Sequence, residues 1–77
     1  MDDYKFIERL LKFGINPNIL FNTGHTGIMI GVVQNNIFIV KLFLKYRGDP
    51  NIGNPIVQAI QNYNYDMVLM LIMIQLL

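Results

Sequence analysis

The chain has 77 residues, 53% hydrophobic and 14% charged, with net charge +1 and no cysteine. That length allows one small domain near the limit at which a single core sustains a fold. The few, scattered basic residues exclude a surface built to neutralise phosphates, and the missing thiols exclude disulfides and thiolate metal sites. A charged fraction well under the roughly 25% of an average domain means that apolar surface must be buried or it invites association. Ile occurs 12 times, Asn 9 times and Ala once, a bias that suits an AT-rich coding sequence.

Phe6, Ile7, Leu10 and Leu11, extended by Phe13, lie opposite Lys5, Glu8, Arg9 and Lys12 at helical spacing. This predicts an amphipathic helix from Asp3 to Phe13 with those apolar residues inward. Asp2 and Asp3 stand where carboxylates cap a helix and meet its positive end, and Gly14 supplies a left-handed stop. The acidic start and the interrupted apolar run do not read as a secretory signal. Asn16-Pro17-Asn18 reads as a turn, because Pro fixes φ and Asn tolerates unusual backbone angles.

Asn22-Thr23-Gly24-His25 reads as a loop, and Thr26 as the N-cap of a short helix through about Gln34. The stretch from Gly24 to Ile30 also admits a strand, since Ile and Val are not strong helix formers. Asn35-Asn36 breaks the segment. A further helix is expected from Ile37 to Tyr46, with Ile39, Val40, Phe43 and Leu44 inward. Beyond the turn Gly48-Asp49-Pro50-Asn51, Asn54-Pro55 starts another helix, with Asn as N-cap and Pro at the first helical position. It ends near Gln61-Asn62-Tyr63-Asn64. The last helix runs from Tyr65 toward the C-terminus. Its apolar run from Met67 to Leu77 is broken only by Gln75. A helix that spans a membrane needs roughly 20 residues of this kind, and the run falls short of that.

The chain also repeats itself. Leu10-Leu11-Lys12-Phe13-Gly14-Ile15-Asn16-Pro17-Asn18 returns as Phe43-Leu44-Lys45-Tyr46-Arg47-Gly48-Asp49-Pro50-Asn51. The offset is 33 throughout, from Leu11 to Leu44 and from Pro17 to Pro50. A fixed period of this size signals stacked supersecondary units. Gly24-His25-Thr26-Gly27-Ile28-Met29-Ile30-Gly31, followed by Ile39-Val40-Lys41-Leu42-Phe43-Leu44, resembles the ankyrin repeat, with its T-P-L-H-x-A signature and apolar outer helix. Asn54-Pro55-Ile56-Val57-Gln58-Ala59 and Met67-Val68-Leu69-Met70-Leu71-Ile72 resemble a second copy. Here the offset is 28, from Gly31 to Ala59 and from Val40 to Val68. Five residues are therefore absent from the hairpin between Asn51 and Asn54.

The resemblance implies an all-α, helix-turn-helix solenoid of about two to three repeats with short hairpin turns. Its units would be a partial repeat at 1–18, a full repeat at 19–51 and a repeat with a shortened hairpin at 52–77. Gly31 and Ala59 fall where the family uses Ala because adjacent helices approach closely. Thr26 and Asn54 fall at the cap. The family's Pro is Gly27 in one copy, and its His is replaced by Met29 and Val57. Arg47 takes the place that Gly14 holds one period earlier; a non-Gly residue at positive φ is unfavourable, so Gly48 is expected to carry that turn.

Little in the chain suggests catalysis. His25 has no Asp or Glu near it in sequence to act as a partner, and reads as an exposed loop residue. Gly24-His25-Thr26-Gly27 lacks the Lys and the spacing of a phosphate-binding loop. Asp2, Asp3, Glu8, Asp49 and Asp66 are scattered and form no metal-ligand cluster. Met67, Met70 and Met73 recur at helical spacing, as core packing or as an adaptable groove. Tyr63 and Tyr65 lack the neighbouring basic residues of a base-stacking platform.

The resemblance therefore implies a non-catalytic protein–protein interaction module, with no cofactor and no metal. Its protein-binding residues would be Asn22, Thr23 and His25 at the hairpin tip, Val33 and Gln34 on the first inner helix, and Gln61 and Asn62 on the second. The partner expected is a protein, with neither nucleic acid nor membrane in view. Self-association through the uncapped C-terminal helix is the other contact anticipated. The alternatives are a truncated remnant of a longer ankyrin protein without independent function, and a small membrane-associated hydrophobic protein. The location expected is cytoplasmic by default, or a host cytoplasm for a chain from an intracellular parasite or virus.

Overall fold

The computed structural model describes residues 3–76; Asp2, read above as a cap, and Leu77 lie outside them. Among the described residues there are five helices and no strand: α1 (Asp3–Phe13), α2 (Gly27–Val33), α3 (Ile37–Lys45), α4 (Pro55–Gln61) and α5 (Tyr65–Ile74). The strand alternative at Gly24–Ile30 thus gives way to helix. Thr26 decides this locally: extended at φ −73° and ψ 166°, its Oγ1 accepts a hydrogen bond from Met29 N–H (3.2 Å). Asn36 and Asn64 cap α3 and α5 in the same way, accepting from Ile39 N–H (3.2 Å) and Met67 N–H (3.1 Å). In the sequence these two asparagines read only as helix breakers.

The first four helices all end with the same device. In each, a residue in the left-handed region lets the chain fold back so that two N–H groups reach the last free carbonyls. Those residues are Gly14 (φ +109°), Asn35 (+54°), Arg47 (+71°) and Tyr63 (+54°). At α3, Gly48 N–H donates to Phe43 O (2.8 Å) and Arg47 N–H to Leu44 O (3.1 Å). This corrects the expectation that Gly48 carries the turn. Gly48 is glycine for room instead: a Cβ there would lie 2.9 Å from Phe43 O and 3.0 Å from Ile28 Cδ1.

The Asn54 expectation also fails in part. Asn54 does precede α4, with Pro55 at the helix start, but it sits at φ +53° and makes no side-chain cap bond. The shortened connection places Gly53 (φ +77°) and Asn54 consecutively in the left-handed region, so Asn54 lacks the extended backbone that a capping side chain uses.

The helices pair across short links: α2 packs on α3, and α4 on α5. The short helices α2 and α4 lie side by side, and α1 packs on α3. Ile28, Val32, Val40, Leu42, Phe43 and Met67 are at most 1% exposed and form the centre of the core. Gly31 is a place of close approach between α2 and α3, where a Cβ would lie 2.7 Å from Val40 Cγ2; Ala59 is fully buried at the matching place. On α1 only Leu11 is buried. Phe6 and Phe13, expected inward, are 55% and 92% exposed. Packing reaches α1 from α3, so only one edge of its apolar face is covered.

Candidate functional site

The tip is a tight hairpin. Phe21 N–H donates to His25 O (2.9 Å) and Gly24 N–H to Phe21 O (2.8 Å), closing a short loop of Asn22, Thr23 and Gly24. Gly24, at φ +81°, supplies the left-handed step on which such loops end. Asn22, Thr23 and His25 are all exposed. Thr26 anchors the base of this loop, 2% exposed and bonded into α2, so the tip stands on a fixed helix start.

The turn at 49–51 is differently built. Asp49 Oδ1 accepts from Asn51 N–H (2.9 Å), as Asn16 Oδ1 accepts from Asn18 N–H (2.9 Å) one period earlier. Both are Asx turns closed over a proline. Asn18 Oδ1 then accepts from Asp49 N–H at 2.6 Å, tying one turn to the other.

Val33 and Gln34 end α2, and Gln61 and Asn62 end α4, at the same register of the second copy. Val33, Gln34 and Gln61 are exposed. Asn62 is half-buried, and its carboxamide is already engaged. Its Nδ2 donates to Val32 O (3.1 Å) and to Asn35 Oδ1 (3.4 Å), while its Oδ1 accepts from Gln58 Nε2 (3.0 Å). Asn64 Nδ2 adds a bond to Asn35 Oδ1 (3.1 Å). Asn62 thereby joins α4 to the Val32 carbonyl at the end of α2, which also accepts from Asn35 N–H, a tie that sequence reasoning missed. The cluster of asparagines at 35–36 and 62–64 was the signal that could have found it.

The surface offers amides, one hydroxyl, one imidazole and an exposed valine. Such groups can hydrogen bond and pack, and they bring no carboxylate beside His25 within the loop. Among the described residues, no group of three or more His, Cys, Asp or Glu could hold a metal ion, and no helix is long and apolar enough to cross a membrane. Of the methionine stripe, Met67 is core at 0% exposure, while Met73 is 56% exposed beside Lys41 and Asp66 in a shallow groove. Tyr63 and Tyr65 are 95% and 75% exposed.

An all-helical chain of paired short helices joined by turns is compatible with an ankyrin-like helical repeat. The chain is 38% identical over 47 residues to a protein of Rickettsia felis named "Putative ankyrin repeat protein". That match covers 61% of this chain and 18% of the relative, so the chain spans less than a fifth of the relative's length. No protein-family model matches the chain, and no solved structure matches it.

Proposed function

We propose that the chain is a non-catalytic protein-interaction module of ankyrin type, divided into units at 1–18, 19–51 and 52–77. Asn22, Thr23 and His25 at the tip, with Val33, Gln34 and Gln61 at the ends of the inner helices, contact a protein partner. Asn62 takes part as the residue that fixes the spacing of α2 and α4. The observation that carries this reading is the recurrence of local geometry at the offsets of the sequence repeat. Asx turns recur at the offset of 33, and asparagine caps and left-handed helix stops at the offset of 28. The identity to an ankyrin repeat protein supports the same reading.

The test is affinity capture with the intact chain and with Asn22→Ala, Thr23→Ala and His25→Ala combined. All three residues are exposed, so the variant keeps its helical signal and is expected to lose the specific partner. Equal recovery of the same partners by both would sink the proposed binding surface.

A further inference from the structure

A groove of about 320 Å³ runs between α1, α2 and α3; Phe21, at the base of the hairpin, also lines it, but Asn22, Thr23 and His25 do not. Phe6 and Ile7 of α1 form one wall, and Gly27, Ile30 and Gln34 of α2 another. Both walls are register copies of walls that already hold a helix elsewhere in the chain. Moved on by the first offset, Asp3 and Ile7 become Asn36 and Val40, the residues on which Gly31 of α2 sits. A Cβ on Gly31 would lie 2.7 Å from Val40 Cγ2 and 3.3 Å from Asn36 O. Moved on by the second offset, Gln34 becomes Asn62, whose amide donates to Val32 O at the end of α2. Burial follows occupancy. Ile39, the counterpart of Phe6, is 7% exposed, whereas Phe6 is 55% exposed.

We infer that this groove is a docking site for one short amphipathic helix of the α2 type, presented by a partner polypeptide. Its chemistry follows from the counterpart interface. The helix is as short as α2, carries a Gly or Ala over Asp3 and Ile7, turns an apolar stripe to Phe6 and Ile30, and ends with a backbone carbonyl within reach of Gln34. A larger residue at the small position collides with the α1 wall, as it would at Gly31. Gln34 belongs both to this groove and to the surface proposed above, whereas Asn22, Thr23 and His25 do not line the groove, so the tip variant and the Phe6→Asp variant test the two proposals apart.

The probe is a synthetic peptide of residues 19–36 of this chain, titrated into the full chain and followed by amide chemical shifts. Saturable binding with shifts centred on Phe6, Ile7, Ile30 and Gln34 is expected. Changing Gly31→Leu in the peptide, which leaves the host fold untouched, is expected to weaken binding by about tenfold or more, the scale on which overpacking acts. Phe6→Asp in the chain, at an exposed position, is expected to do the same while the helical circular dichroism is retained. Ile72→Asp, on α5 and 44% exposed, is expected to leave binding intact. Absence of saturable binding, equal binding by the Gly31→Leu peptide, or loss on Ile72→Asp rather than on Phe6→Asp would each overturn the inference.

Discussion

The pairs α2–α3 and α4–α5 share the left-handed stop of their first helix (Asn35, Tyr63), the asparagine cap of their second (Asn36, Asn64) and the length of the link between them, yet they bury themselves differently. In α2 five of seven residues are buried, against two of seven in α4. In α3 four of nine are buried, against two of ten in α5. The sequences are similarly apolar, so side-chain chemistry does not explain the contrast. Position does: α2–α3 has α1 on one side and α4 on the other, whereas the outer residues of α5, including Leu69, Ile72 and Met73, remain 40% to 56% exposed. One local design thus yields a core or an edge according to its neighbours, as expected where units bury their faces on each other.

The strongest way to break this comparison is Phe43→Ala. Phe43 is 1% exposed and its ring fills the space over Gly27, where a Cβ would overlap it. Removing a buried Phe costs about 3–5 kcal/mol, and a domain this small holds little more than that in reserve. Loss of the cooperative thermal transition is expected, while Ile72→Ala on the exposed edge leaves it in place. A retained transition near the parent midpoint would mean that the central pair is not the core.

The next effect separates the two helix starts. Thr26→Ala removes a cap oxygen that is buried and bonded to Met29 N–H, at a cost of about 0.5–2 kcal/mol. Asn54→Gly removes no cap bond and relieves a left-handed backbone, so urea unfolding should show it neutral or stabilised by a few tenths of a kcal/mol, on the order of the Gly effects known for such positions. Equal losses in the two variants would contradict the difference in capping.

The smallest effect is a gain. Tyr63 holds φ +54° with its side chain 95% exposed, so Tyr63→Gly gives up little packing. An L-residue pays about 1–2 kcal/mol in this region, offset by the entropy that Gly adds to the unfolded chain, about 0.4–1 kcal/mol. The midpoint in urea should rise with an unchanged slope. A fall would show that Tyr63 makes contacts that its exposure does not reveal.

Five helices were legible in the residues, because Gly14, Thr26, Pro55 and the helical apolar stripes act within a turn or two of themselves. The tip was legible for the same reason: Asn22-Thr23-Gly24 closes directly between Phe21 and His25. Sequence reasoning failed where a residue's role depends on something distant. Gly48 was assigned a conformational task, but Ile28, far back in the chain, and the Phe43 carbonyl demand its missing side chain, and Arg47 takes the strained angle. Phe6 has the spacing of a core residue, yet it stays 55% exposed on the wall of the groove. Asn62 reads as a surface amide until α2 brings Val32 O within 3.1 Å. Local steric and capping preferences thus set the helices and their ends. Burial and hydrogen bonding between helices were decided only when the helix pairs came together, because both depend on which neighbour occupies the adjoining space.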